Sequence, residues 1–144
     1  MTKSDKSKHN ICIASIRRST IKPYNFKWTK FYESNSDFVN TNPQIKFDLA
    51  QNELIICSTI INPDNFSILT TRRLITKEKR IENSGSLLGA TDKLYGDFKG
   101  HKDDLFTFGL IQLYKGLDLK YFIETGNASM VMIHGVRTLI RTNE

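Results

Sequence analysis

Apolar and polar residues alternate along much of the chain after residue 43, and the alternation predicts strands. Gln44 to Leu49 puts Ile45, Phe47 and Leu49 on one side and Lys46 and Asp48 on the other. Glu53 to Ile61 is almost continuously apolar and β-rich, the pattern of a strand buried on both faces. Phe66–Leu69 and Leu74–Ile75 flank a polar Thr-Thr-Arg-Arg centre, which predicts a tight hairpin with a cationic tip. Lys77 to Gly89 is polar and then Gly-rich, a loop with a short strand around Ile81. Leu94 to Phe98 alternates again. Leu105 to Tyr114 is a long β-rich run in which Gly109 marks a bulge or a bend, and Leu119 to Glu124 is the last strand. Ala50-Gln-Asn, Asn62-Pro-Asp-Asn and Lys115-Gly-Leu-Asp supply the turns.

The end of the chain changes period. Asn127 offers an N-cap, and Met132, Ile133, Val136, Leu139 and Ile140 recur at spacings of three and four, which predicts a helix over 128–141. Arg137 and Arg141 lie toward its C-terminal end, where positive charge suits the helix dipole. Gly135 weighs against it by about 1 kcal/mol relative to Ala, and a strand over Ser129–His134 is the competing reading. Upstream, Glu33-Ser-Asn-Ser-Asp and Asn40-Thr-Asn-Pro43 are clusters of turn-forming residues. They divide the chain into an N-terminal extension, 1–42, and a body, 43–144. The expected fold is mainly β with one C-terminal helix, an α+β arrangement. Its strands would make an antiparallel barrel or a strongly bent sheet, capped by helix 128–141.

Phe66-Ser-Ile-Leu-Thr-Thr-Arg-Arg-Leu-Ile-Thr resembles the strand–turn–strand of pleckstrin-homology-like modules of the bacterial PH/GRAM type. Asn127-Ala-Ser-Met-Val-Met-Ile-His-Gly-Val-Arg-Thr-Leu-Ile is similar to their closing helix. The resemblance spans about residues 44–141 and implies a helix-capped barrel serving as a non-enzymatic binding module. The first loop of the body lacks the dense Lys/Arg cluster of the lipid-binding branch. Such folds host many functions, so the ligand has to be argued from the surface.

Charge then sharpens the picture. The formal net charge of +6 is uneven: residues 1–42 hold eight Lys/Arg against three Asp/Glu, and residues 43–144 hold thirteen against twelve. Such a field favours acidic partners, and it also describes a solvated tail. Cys12 and Cys57 lie in apolar runs, outside any metal-ligand spacing, as buried thiols would; whether they pair is left open. No run approaches the roughly 20 apolar residues of a membrane span, and Ile11–Ile16 is too short for a signal peptide's core, so a cytoplasmic protein without a transmembrane segment is expected.

Arg72, Arg73, Lys77, Lys79 and Arg80 are five cations within nine residues, offset by Glu78 alone. If the hairpin forms, they would cluster at one rim and grip a protein partner or an anionic ligand, a phosphate-bearing lipid headgroup included. The bland reading is a charged hairpin edge that blocks unwanted strand pairing. Tyr24, Lys27, Trp28 and Lys30 form a second candidate surface, since aromatic faces beside cations can stack the bases of single-stranded nucleic acid. Tyr24, Phe26 and Trp28 also alternate as a half-buried strand would. His101 with Asp97 or Asp103 is a remote hydrolytic alternative. No nucleophile elbow, phosphate-cradling loop or dinucleotide fingerprint occurs, no cofactor is implied, and the acidic residues around His101 do not follow metal-ligand spacing. The expected protein is a binding module and not an enzyme.

Overall fold

The computed structural model describes residues 3–143, and its first element is a helix, α1 (Asp5–Ser19). Ser4 caps it by accepting the Ser7 N–H, and His9, Cys12, Ile13 and Ile16 form its buried stripe at helical spacing. A short strand, β1 (Thr29–Phe31), and a helix, α2 (Asn35–Thr41) capped by Ser34, come next. The remainder is a meander closed by a helix. Its strands are β2 (Ile55–Asn62), β3 (Asn65–Thr70), β4 (Leu74–Glu78), β5 (Ile81–Gly85), β6 (Thr91–Leu94), β7 (Phe106–Gln112) and β8 (Asp118–Glu124). After one 3-10 turn, α3 (Ser129–Thr142) ends the chain.

The α+β class is as expected, and 128–141 is helical. Met132, Val136 and Leu139 are fully buried beneath the sheets. A closed barrel does not form. The strands make two antiparallel sheets, β1-β2-β3-β4-β5 and β6-β7-β8, with no ladder between them among the described residues. The break falls at Ser86–Ala90, where Leu87 turns into the core and draws the chain away from the β5 edge.

One face of the larger sheet packs with α1, α3 and the smaller sheet around Ile56, Cys57, Leu69, Leu74, Tyr121 and Ile123. Its other face is covered by Tyr32, by Phe38 of α2 and by Ile45, over Ile55, Phe66, Ile68 and Ile75. Thr29, Thr59, Ser67 and Thr76 stand side by side across four strands, all buried. They bond pairwise, Thr29 to Thr59 at 2.9 Å and Ser67 to Thr76 at 2.8 Å. Ser67 also accepts the Phe122 N–H at 2.8 Å, so this hydroxyl row satisfies the edge of β8 where the two sheets meet.

The boundary at 42 runs through a shared core. Cys12, Ile13 and Ile16 of α1 lie in the same cluster as Val131, Met132 and Val136, and β1 extends the larger sheet. Gly135 lets α3 lie close on the larger sheet: a Cβ there would stand 3.0 Å from the Cys57 sulfur and 3.1 Å from Leu69. Cys12 and Cys57 are unpaired thiols, and burial pushes Cys12 up to about 12 and Cys57 well above its ordinary value.

Four local expectations need correction. The strand expected over 94–98 falls instead at Thr91–Leu94, and residues 95–98 join no ladder. Gln44–Leu49 joins no ladder, although Ile45, Phe47 and Leu49 do pack inward while Lys46 and Asp48 stay exposed, because alternation records one-sided packing and not strand pairing. Gly109 is neither bulge nor bend; it keeps regular register opposite Tyr121, and a Cβ there would overlap the tyrosine ring. The N-terminal extension, whose charge also fits a solvated tail, packs onto the body instead: His9 is buried and bonds the Tyr32 carbonyl at 2.9 Å. No helix among the described residues is long and apolar enough to cross a membrane.

Candidate binding groove

The β3–β4 hairpin forms as the Thr-Thr-Arg-Arg pattern predicts, with Leu69 opposite Leu74 and Ser67 opposite Thr76. The five cations, however, do not share a rim. Arg72 and Arg73 occupy the turn before β4, and Lys79 and Arg80 occupy the turn after it. At about 3.3 Å per residue the intervening strand holds the turns roughly 16 Å apart. Lys77 lies within β4, paired in register with Glu82.

Local partners separate the cations further. Arg73 donates from Nε to Glu53 at 3.0 Å, bonds the Asp48 carbonyl and lies 5.7 Å from the centre of the Phe47 ring. Glu53 is buried and also accepts from Thr70 Oγ1 at 2.5 Å and from the Ala50 N–H at 2.9 Å. Burial pushes the Glu53 carboxyl up, but the bonds from Thr70, Ala50 and Arg73 outweigh that and leave it below its ordinary range. Arg73 therefore fastens the hairpin to the segment before β2. Lys79 and Arg80 both have positive φ, 50° and 72°, the conformation of a type I′ hairpin turn, and Arg80 reaches Asp64 at 3.5 Å on an open surface.

Arg72 faces a different neighbourhood. Its guanidinium forks onto Asp5 at the start of α1, Nε to Oδ1 at 3.2 Å and Nη2 to Oδ2 at 2.9 Å, and Nη2 also reaches the Gln51 carbonyl. Thr71 Oγ1 donates to the same carboxylate at 2.6 Å. The Arg72 fork, opposed by partial burial and aided by Thr71, holds the Asp5 carboxyl below its ordinary range. A cavity of about 640 Å³ opens here, walled by Lys3, Lys8, Arg72, Leu88 and Asn143. Among the described residues that line it, the cations Lys3, Lys8 and Arg72 face one carboxylate, that of Asp5, an excess of positive charge.

An apolar trough of about 640 Å³ adjoins it, lined by Leu88, Ala90, Leu113, Tyr114, Leu117 and Ile140. Ser86, Leu88 and Asn143 belong to both walls, so the two hollows lie side by side, one cationic and one apolar, and are together called the groove. Leu88 is 62% exposed, Tyr114 79% and Leu117 69%, and these large apolar side chains gather on one surface. Of these residues the sequence singled out Arg72 alone. Lys3 and Lys8 read there as part of a polar terminus, and Leu88, Tyr114 and Leu117 carry no local sign of facing water.

The second candidate surface divides in the same way. Tyr24 packs edge-on against Phe31 at 5.0 Å, and Trp28 against Phe106 of β7 at 6.2 Å. Glu124 clasps this segment, accepting the Lys27 and Trp28 N–H groups at 3.0 and 2.8 Å and the Thr29 hydroxyl at 2.8 Å. Lys27 Nζ stands 4.8 Å above the Trp28 ring, and Lys30 is exposed on β1. The Asp97 carboxylate accepts the Lys102 and His101 N–H groups at 2.8 and 3.2 Å, bonds that hold it below its ordinary range, so it is spent on loop backbone and not on the His101 ring. Among the described residues, no three His, Cys, Asp or Glu side chains converge as a metal cluster. No family model, curated protein or solved structure matches the chain.

Proposed function

We propose that this protein is a pleckstrin-homology-like, non-enzymatic binding module whose groove takes an acidic, partly apolar segment of another protein. The fold supports it by its order: four antiparallel strands, β2–β5, then three, β6–β8, then a closing helix. The observation that carries the reading is the adjacency of the cationic cavity and the trough with exposed Leu88, Tyr114 and Leu117, which share Ser86, Leu88 and Asn143 as wall residues. Carboxylates of the partner face Lys3, Lys8 and the free side of Arg72, and its large apolar side chains cover Tyr114 and Leu117. Lys77, Lys79 and Arg80 stand outside this contact, as does Arg73.

The test is fluorescence anisotropy with a labelled peptide of three glutamates followed by alternating leucine and phenylalanine, set against vesicles of anionic phospholipid. Saturable peptide binding that weakens about tenfold in both Arg72→Ala and Leu117→Lys supports the reading, a tenfold change being about 1.4 kcal/mol. Vesicle binding without peptide binding, or binding indifferent to both substitutions, refutes it.

A second reading rests on one observation. Trp28, Phe106 and Phe108 form a partly exposed aromatic row, with Lys27 4.8 Å above Trp28 and Lys120 4.6 Å above Phe108. Such rings and cations suit single-stranded nucleic acid. Binding of an oligothymidylate that weakens in Phe108→Ala and with rising salt would favour it; absence of binding at low salt ends it.

A further inference from the structure

Two sheets present four edge strands, and three of them are protected. β1 is only three residues long, and the chain entering it is held by Glu124. β6 has four residues, an irregular register and the charged pair Asp92 and Lys93, which are tied to Arg137 and Asp118. The outer edge of β8 is met by Ser67. β5, Ile81-Glu82-Asn83-Ser84-Gly85, has none of these devices. It runs five residues in unbroken register with β4, contains neither lysine nor proline, and leaves Ile81 68% exposed. A strand edge of that kind is a template for another strand.

We infer that β5 pairs with β5 of a second copy of this chain, antiparallel about a two-fold axis at Asn83. The sequence of the strand is self-complementary in that register. Asn83 faces its own counterpart, Glu82 faces Ser84 of the other copy, and Ile81 faces Gly85, so no like charges oppose. The Ile81–Gly85 pairing also fits the surface. Gly85 has no side chain, and Leu113 packs directly over it; a Cβ there would stand 3.2 Å from Leu113 Cδ2. Ile81, Leu110, Leu113 and Leu117 line a crevice of about 330 Å³ under this edge. The two-fold brings the exposed Ile81 of each copy onto the Gly85–Leu113 end of the other, covering apolar surface that one copy leaves open. Two five-stranded sheets become one of ten strands.

The crevice shares Leu113 and Leu117 with the apolar trough, but the pairing itself is made by β5, and its test needs no ligand. Sedimentation equilibrium on the full chain is expected to show a monomer–dimer equilibrium. Asn83→Lys, at an exposed position, places two ammonium groups face to face and weakens the dimer at least tenfold without altering the far-UV circular dichroism. An equal mixture of Asn83→Lys and Asn83→Asp chains restores it by pairing opposite charges. In parallel, Asn83→Cys gives a disulfide-linked dimer on mild oxidation, because Cys12 and Cys57 are buried and do not compete. A chain that stays monomeric at millimolar concentration overturns the inference and leaves the edge to some other strand. A dimer that Asn83→Lys does not weaken, or that the charge-swapped mixture does not recover, also overturns it.

Discussion

The two ends of β4 carry the same sequence signal, a pair of adjacent cations in a turn, and do different things. Before the strand, Arg73 turns onto the buried carboxylate of Glu53 while Arg72 clamps Asp5 beside an open, positive cavity. After it, Lys79 and Arg80 bend the chain at positive φ on an open surface, where Arg80 reaches Asp64 and Asn65 accepts the Lys79 N–H. Charge in a turn is thus no measure of function. What decides is whether the cation is spent on a buried acid, left among water, or placed where further surface awaits a partner.

The largest expected break of this contrast is Glu53→Ala, which leaves Arg73 without its carboxylate and strips Thr70 and Ala50 of their acceptor. A loss of about 3 kcal/mol, roughly 10 °C in Tm by calorimetry, is expected. Arg73→Ala should cost about 2 kcal/mol, because Glu53 keeps two of its donors. Next comes Lys79→Asn combined with Arg80→Gly. It supplies the residues a type I′ turn prefers and should stabilise the fold by about 1 kcal/mol while leaving peptide binding unchanged, although two cations are lost. Arg72→Ala should leave Tm nearly unchanged, since water screens an ion pair whose arginine is open to solvent, yet weaken peptide binding tenfold. Acid tests the same pairs together. Both carboxyls titrate lower in the folded protein than in the unfolded chain, so their contribution is complete above the ordinary glutamate value of 4.5 and is lost as pH falls through the folded values. Urea midpoints measured from pH 6 down to pH 2 should fall in that window, and less steeply in Glu53→Gln.

Much of the strand meander could be read from the chain, because alternation and turn residues act locally. The Ser67–Thr76 hairpin and the helix over 128–141 formed where their patterns put them. α1 escaped although its signal was present: Ser4 at the cap, then His9, Cys12, Ile13 and Ile16 at spacings of three and four. Lysines and serines between them made the segment look like a solvated tail. α2 was concealed by the same residues that suit a turn, since Ser and Asn cap helices for the reason they favour turns. The groove was legible only through Arg72. Leu88, Tyr114 and Leu117 share a surface because β5, β7 and α3 converge there, and no local pattern records convergence.

The most direct measurement is a backbone amide chemical-shift titration of the full chain with the acidic, leucine-rich peptide. Saturable shifts should gather at Lys3, Lys8, Arg72, Leu88, Tyr114 and Leu117, with Lys79 and Arg80 unmoved. Shifts centred on Lys79 and Arg80, or spread evenly over the basic residues, would contradict the groove.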